Sequence, residues 1–218
     1  MKKPFSCLIF LFVLLPALAA CGKYDYSVHL SEVRSDLFVC EDDEFTVTLS
    51  CVTREYPYVS DGATGALTNV VEIVLESSEP VERDYCVYVL GEREWGGDMS
   101  FRNVRGDWFY SQSVSAFPEG AVSLRVSWGE ETREVVATSV KNEATIAPEA
   151  ALEFAVAAEA DYVANLTQDG VFQGEFYVRL LRRDKNYYYV GIVDGNGATL
   201  SLLLDSETGD VLARREPN

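Results

Sequence analysis

Phe45-Thr46-Val47-Thr48-Leu49-Ser50-Cys51 alternates apolar and polar side chains, the period-two pattern of a β-strand with one buried face. Working outward, Val70-Val71-Glu72-Ile73-Val74-Leu75, Tyr85-Cys86-Val87-Tyr88-Val89-Leu90 and Ala121-Val122-Ser123-Leu124-Arg125-Val126-Ser127-Trp128 are rich in the β-branched and aromatic residues that suit strands. Trp108-Phe109-Tyr110 and Thr132-Arg133-Glu134-Val135-Val136-Ala137 are further candidates. Turn signals separate them at Asp61-Gly62, Gly96-Gly97, Arg105-Gly106-Asp107, Pro118-Glu119-Gly120 and Gly129. About seven short strands with turns between and no helical stretch predict an antiparallel β-sandwich over residues 21–140.

The character changes after Val140. Pro148 can open a helix at its first turn, where a missing N–H costs nothing. Leu152, Ala155, Val156, Tyr162, Val163 and Leu166 then mark a buried stripe, with Glu149, Glu153 and Asp161 off it. The spacing predicts one helix through Leu166, ended at Asp169-Gly170. Strands follow at Glu175–Leu180, Asn186–Val193 and Thr199–Asp205, the last two joined through Asn196-Gly197, a strong hairpin signal. Val211-Leu212-Ala213 is a short final strand. Residues 141–218 thus read as a helix plus antiparallel sheet, and the whole chain as mixed β and α+β.

The 218 residues are 48% hydrophobic and 24% charged, as in ordinary globular domains. They carry 18 Lys+Arg against 35 Asp+Glu, a formal charge of −17. Nucleic acid is excluded as a partner on that balance, because phosphate affinity needs clustered bases. The acids are spread along the chain except at Glu41-Asp42-Asp43-Glu44, which reads as a solvated turn between strands.

Lys2 and Lys3 precede an apolar run from Cys7 to Ala20, interrupted only by Pro16. A helix of that length spans roughly 21 Å, short of a bilayer crossing. A basic start, a short apolar stretch and small residues after it match the layout of a secretory signal peptide, expected at residues 1–20. The run ends Leu18-Ala19-Ala20-Cys21, which resembles the lipobox of bacterial lipoproteins. That resemblance implies cleavage before Cys21, acylation of the Cys21 thiol, and an extracytoplasmic protein anchored by lipid in the cell membrane or outer membrane. Loss of residues 1–20 leaves 16 bases against 35 acids, a charge of −19. Such a surface is repelled by anionic headgroups, so lipid must provide the attachment.

Cys7 leaves with the signal. Cys40, Cys51 and Cys86 then remain, in a compartment that permits disulfides, and three cysteines form at most one bridge. Cys51–Cys86 is favoured over Cys40–Cys51, although spacing leaves the pairing open. With no CxxC and His29 as the one histidine, a metal site or thiol-redox centre lacks ligands. Asp194-Gly195-Asn196 with Asp205 imitates a calcium loop, but Thr199 stands where that loop needs glycine. No catalytic set and no cofactor motif is legible. Aromatic residues suited to contacts are Tyr187 and Tyr189 on a predicted strand. Trp95 and the Tyr56-Pro57-Tyr58 segment join them in predicted loops.

The first half resembles immunoglobulin-like sandwiches in strand count, without the tryptophan such domains carry between their paired cysteines. From Pro148 to Arg214 the order helix, Tyr188-Tyr189-Val190-Gly191-Ile192-Val193-Asp194-Gly195, then Leu203-Leu204-Asp205 resembles a PepSY-type module. Its most specific piece is Asp205-Ser206-Glu207-Thr208-Gly209-Asp210-Val211, where that family commonly ends D-x-x-T-G-x-V. The resemblance implies a small non-enzymatic module, in some cases a protease pro-region or inhibitor. The expected function is a non-catalytic, protein-binding envelope protein with its sandwich near the membrane. Its expected partner is an envelope protein. The alternative is a protease inhibitor or folding assistant acting through the C-terminal module.

Overall fold

A computed structural model describes residues 24–55, 66–78 and 83–217. The alternation at Phe45 belongs to β2 (Phe45–Glu55), preceded by a twelve-residue strand, β1 (Leu30–Glu41). Then follow β3 (Leu67–Ser77), β4 (Tyr85–Val89), β5 (Trp95–Asp98), β6 (Ser100–Arg102), β7 (Asp107–Ser113), β8 (Val122–Trp128) and β9 (Glu131–Ser139). These nine strands form two antiparallel layers, β1-β2-β3-β7-β6 and β9-β8-β4-β5, joined where Phe38 and Val39 of β1 pair with Ser139 and Thr138 of β9. On the other side the chain passes directly from β5 through Met99 into β6, so the layers nearly close into a barrel.

One core fills the space between the layers, with Val47, Leu49, Ile73, Leu75, Val87 and Leu124 among its fully buried members. Aromatic rings seal it: Tyr85 meets Trp108 edge-on at 4.8 Å and Phe45 meets Trp128 at 5.7 Å. The acidic turn between β1 and β2 is pinned rather than merely solvated, because Arg133 bonds Asp42 at 2.6 Å and Glu44 at 2.9 Å.

The second part contains α1 (Pro148–Ala158), α2 (Ala160–Asn165), a two-residue ribbon β10 (Thr167–Gln168) and β11 (Val171–Phe172), and then β12 (Glu175–Arg182), β13 (Asn186–Val193), β14 (Thr199–Asp205) and β15 (Val211–Arg215). Pro148 takes the first helical position as expected. The single predicted helix is broken at Glu159 (φ −115°, ψ 35°), whose carboxylate is held by Arg214 at 2.6 Å. Asp169-Gly170 is not a helix end. Both residues have positive φ (50° and 79°) and form the turn of the β10–β11 ribbon, the geometry Asp-Gly favours in two-residue hairpins.

β12 to β15 form an antiparallel sheet that continues the first layer of the barrel, giving the order β15-β14-β13-β12-β1-β2-β3-β7-β6. The join is the one parallel pairing among the described strands: Val33 faces Val178 and Arg34 faces Arg179. On the edge away from β2, β1 therefore serves two partners. Its first half borders β12, and past an irregularity between Arg34 and Asp36 its second half borders β9. A second core lies between the helices and this sheet, built from Leu152, Ala155, Val163, Phe176, Val190 and Leu202 with their neighbours.

The Cys51–Cys86 bridge is not formed, and Cys40, Cys51 and Cys86 are free thiols. The alternation of β4 explains it. Tyr85, Val87 and Val89 face the core, which turns Cys86 outward to donate to Asp98 at 3.0 Å, while Cys51 is buried among core residues. Trp95 departs from expectation as well. It lies in β5 instead of a loop, half-buried against the barrel core.

Candidate functional site

A concavity lies on the outer side of the helices, where the chain from Tyr24 to Ser27 runs beside α1 and α2. Asp25 caps a 3₁₀ turn at Tyr26–His29 by accepting from the Ser27 N–H at 3.0 Å. Rings then hold this segment onto the second core: Tyr26 packs edge-on against Phe172 and Phe176 at 5.8 and 5.9 Å. The Tyr24 hydroxyl accepts from the Phe172 N–H at 3.2 Å and is hydrogen-bonded to His29 Nε2 at 2.7 Å. Burial pulls the His29 pKa below its usual value, partly offset by a bond to the Gly174 backbone. The one histidine thus sits in an aromatic cluster, and its free-base form is favoured.

The groove has a volume of about 1160 Å³ and is lined by Leu152, Val156, Val163 and the rings of Tyr24, Tyr26 and Phe154. Asp25, Glu149 and Glu153 are the charged residues among its lining. Phe154, on the side of α1 away from the sheet, is 44% exposed. Its ring lies over Gly209 (φ +76°), where a Cβ would come within 2.3 Å of Phe154 Cδ2. The Asp205–Val211 turn is thereby shaped twice over by its glycine. The same turn is capped by Asp205, which accepts from the N–H groups of Glu207 and Thr208 at 2.9 and 3.1 Å. Lys185, 2.6 Å away, and those N–H groups hold the Asp205 carboxyl down to about 2.

Tyr187 and Tyr189 lie together on the sheet face opposite the helices, while Tyr188 between them is fully buried and donates to the Ile146 carbonyl at 2.9 Å. Each of the two half-buried rings already has neighbours. The Tyr187 hydroxyl bonds Asp184 at 2.8 Å, and that of Tyr189 bonds Ser201 at 2.9 Å. The Arg179 guanidinium lies 5.0 Å from the Tyr177 ring and 5.8 Å from that of Tyr189. It also forms a two-point bridge to Glu32 of β1, at 2.7 and 2.9 Å. Trp95 belongs to the second barrel layer and is not brought to this surface.

Along the same face, a cleft of about 410 Å³ crosses β1, β2 and β3. Arg34 there pairs with Glu72 at 3.8 Å and leaves its buried Nε without a hydrogen-bond partner. Burial lowers its pKa, opposed by Glu72 and Glu32. Arg102, Arg105 and Arg182 line this cleft alongside Glu41, Glu76 and Asp107, so its charges balance.

Among the described residues no group of three or more His, Cys, Asp or Glu is placed to hold a metal ion. None of their helices is long and apolar enough to cross a membrane. Cys21, Tyr56 and Tyr58 lie outside the described residues. Sequence reasoning missed the groove, although a signal was present: of the eleven residues of α1 only Glu149 and Glu153 are charged. Comparison with family models, with curated proteins and with solved structures found no match for this chain.

Proposed function

We propose that the protein is a lipid-anchored, extracytoplasmic envelope protein that binds another protein without catalysing a reaction. The anchor is the acylated Cys21, the first half an immunoglobulin-like barrel or sandwich, and the second a PepSY-like module. The observation that carries the binding role is the groove beside α1: among the described residues, mostly apolar side chains line an open concavity of this size. A concave cleft lined mainly by apolar side chains with a few polar groups is the usual form of a binding site.

Tyr24 also sets the orientation. It packs on the second core, and Cys21 is three residues upstream, a reach of at most roughly 11 Å. An anchor on Cys21 therefore holds the α+β half next to the membrane and the barrel farther out. That order is the reverse of the one expected from chain direction.

Fractionation of cells producing wild type and Cys21→Ala tests the anchor. Wild type should sediment with membranes and carry an acyl mass on the Cys21 peptide, and the variant should be released unacylated. Equal partitioning of both rules the anchor out. Crosslinking in native envelope, with the full-length protein as bait, tests the binding role. A partner that also binds as a purified protein supports it, and nothing above an unrelated lipoprotein control removes it. A protease whose activity falls on binding moves the reading to the inhibitor alternative.

A further inference from the structure

Arg34 of β1 stands apart from the arginines around it. Arg54 bonds Glu72 at 2.8 Å, Arg102 bonds Asp107 at 2.6 and 2.7 Å, and Arg179 bonds Glu32 at 2.7 and 2.9 Å. The Arg34 guanidinium makes no hydrogen bond among the described residues: its Nε is buried without a partner, and its contact with Glu72 is 3.8 Å long. Only 24% of the side chain is exposed. A charged group withdrawn so far from water without a hydrogen bond is costly. The neighbouring charges leave that cost in place. Glu72 and Glu32 favour the charge on Arg34, yet each is bonded to another arginine, while Arg179 and Arg105 oppose it.

Arg34 lines the cleft across β1, β2 and β3, whose volume of about 410 Å³ is that of a small-molecule site. Arg105, in the turn between β6 and β7, and Arg182, at the end of β12, line it too. Both are exposed, and neither side chain bonds a carboxylate among the described residues. The cleft's charges therefore balance in number and not in pairing. Its acids without an ion pair among the described residues are set back: Glu41 and Glu76 flank Thr46, four residues along β2 from Ser50, which Glu72 borders. That spacing is about 13 Å of strand.

The uncompensated group calls for an anion, and its surroundings select the kind. A doubly charged phosphate would add a second negative charge beside Glu72, in a chain of formal charge −17. A carboxylate brings one. Val39, Val74 and Phe109, half-buried on the same face, offer an apolar wall, and Thr48 and Ser50 add hydroxyl groups. We propose that the cleft binds the carboxylate of a small organic acid, its charge held by the Nη groups of Arg34 and by Arg105 and its apolar body against Val39, Val74 and Phe109. The site lies on the sheet face opposite the helices and is independent of the binding role proposed above.

The probe is phenylbutyrate, with the neutral phenylbutyramide as its counterpart. Binding is read from amide and arginine side-chain shifts in heteronuclear NMR spectra of the full mature chain carrying Cys21→Ala. Phenylbutyrate should give saturable shifts around Arg34, with affinity falling as salt is raised, and the amide should give none. Arg34→Met should weaken binding about tenfold or more and leave the fold at least as stable, because it removes a guanidinium without hydrogen bonds. Arg105→Gln, at an exposed turn, should weaken binding by a smaller factor, and it carries the test alone should Arg34→Met not fold. Arg93→Gln, in the turn between β4 and β5, should leave binding unchanged.

Absence of saturable shifts up to roughly 10 mM overturns the proposal. Equal binding of the amide does so as well, since the apolar wall would then act without the charge. Binding that survives Arg34→Met and Arg105→Gln undiminished, or falls equally with Arg93→Gln, is attraction to the surface in general and overturns it too. Inorganic phosphate that displaces phenylbutyrate at lower concentration assigns the cleft to a phosphate and likewise overturns it. None of these results bears on the groove beside α1, whose partner is sought separately by crosslinking.

Discussion

Gly209→Ala probes the contact between the Asp205–Val211 turn and α1. The position has φ +76°, where an L side chain costs about 1 kcal/mol. The new methyl would also lie 2.3 to 2.7 Å from Cδ2, Cε2 and Cγ of Phe154, so the ring must swing into solvent. Phe154 is 44% exposed, so leaving its site forfeits about half of a phenylalanine's burial, again about 1 kcal/mol. The expected loss is about 2 kcal/mol, or a fall in Tm of roughly 4–8 °C for a chain of this size. Urea unfolding of the soluble Cys21→Ala protein, followed by circular dichroism, measures it.

A double-mutant cycle separates the two costs. With Phe154→Ala already present, Gly209→Ala should cost only the backbone share, giving a coupling of about 1 kcal/mol. A loss below about 0.5 kcal/mol for the single change refutes the backbone argument. Strict additivity of the pair refutes the contact.

The bridge between the halves gives a second expectation. Arg179→Ala leaves Glu32 of β1 largely buried without its two bonds, at a cost of about 1–3 kcal/mol. Amide exchange should speed up along β12; unchanged protection there would mean the bridge does not hold the strands together. His29 gives a pH dependence that belongs to one residue. Its folded pKa lies below 6.5, so the unfolded chain protonates first, and stability should decline as pH falls below about 6.5. His29→Gln should remove that step in a denaturation series, and its persistence would assign the step elsewhere. Burial pushes the Cys51 thiol up to about 12. Iodoacetamide should spare Cys51 in the native protein while modifying the part-exposed Cys40 and Cys86 slowly, and unreduced digests should contain no Cys51–Cys86 peptide. Finding that linked peptide would contradict the strand facing described for β4.

The local pattern of the chain determined much of this. Alternation located β2, and β-branched runs located β3, β4, β8 and β9, because a strand half-buried on one face must repeat every two residues. Pro148 marked the helix start and Asn196-Gly197 a hairpin, because both express backbone preferences that need no distant partner. β1 escaped that reading. Its residues Leu30–Glu41 serve a parallel neighbour from the second half and an antiparallel one from the first, so no single period runs through them.

The groove was hidden for a related reason. An apolar residue looks the same in sequence whether it meets the sheet or water, and only packing showed that Phe154 and Ala157 face outward while Leu152 and Ala155 face in. Asp169-Gly170 and the thiols follow the same division. Composition declares that a turn or a cysteine is present. Which strands the turn joins, and which way the sulfur points, depend on contacts between residues far apart in the chain. Such contacts also fasten the segment from Tyr24 to the second half of the molecule, because Tyr26 packs against the Phe172 and Phe176 rings and the Tyr24 hydroxyl accepts from the Phe172 N–H.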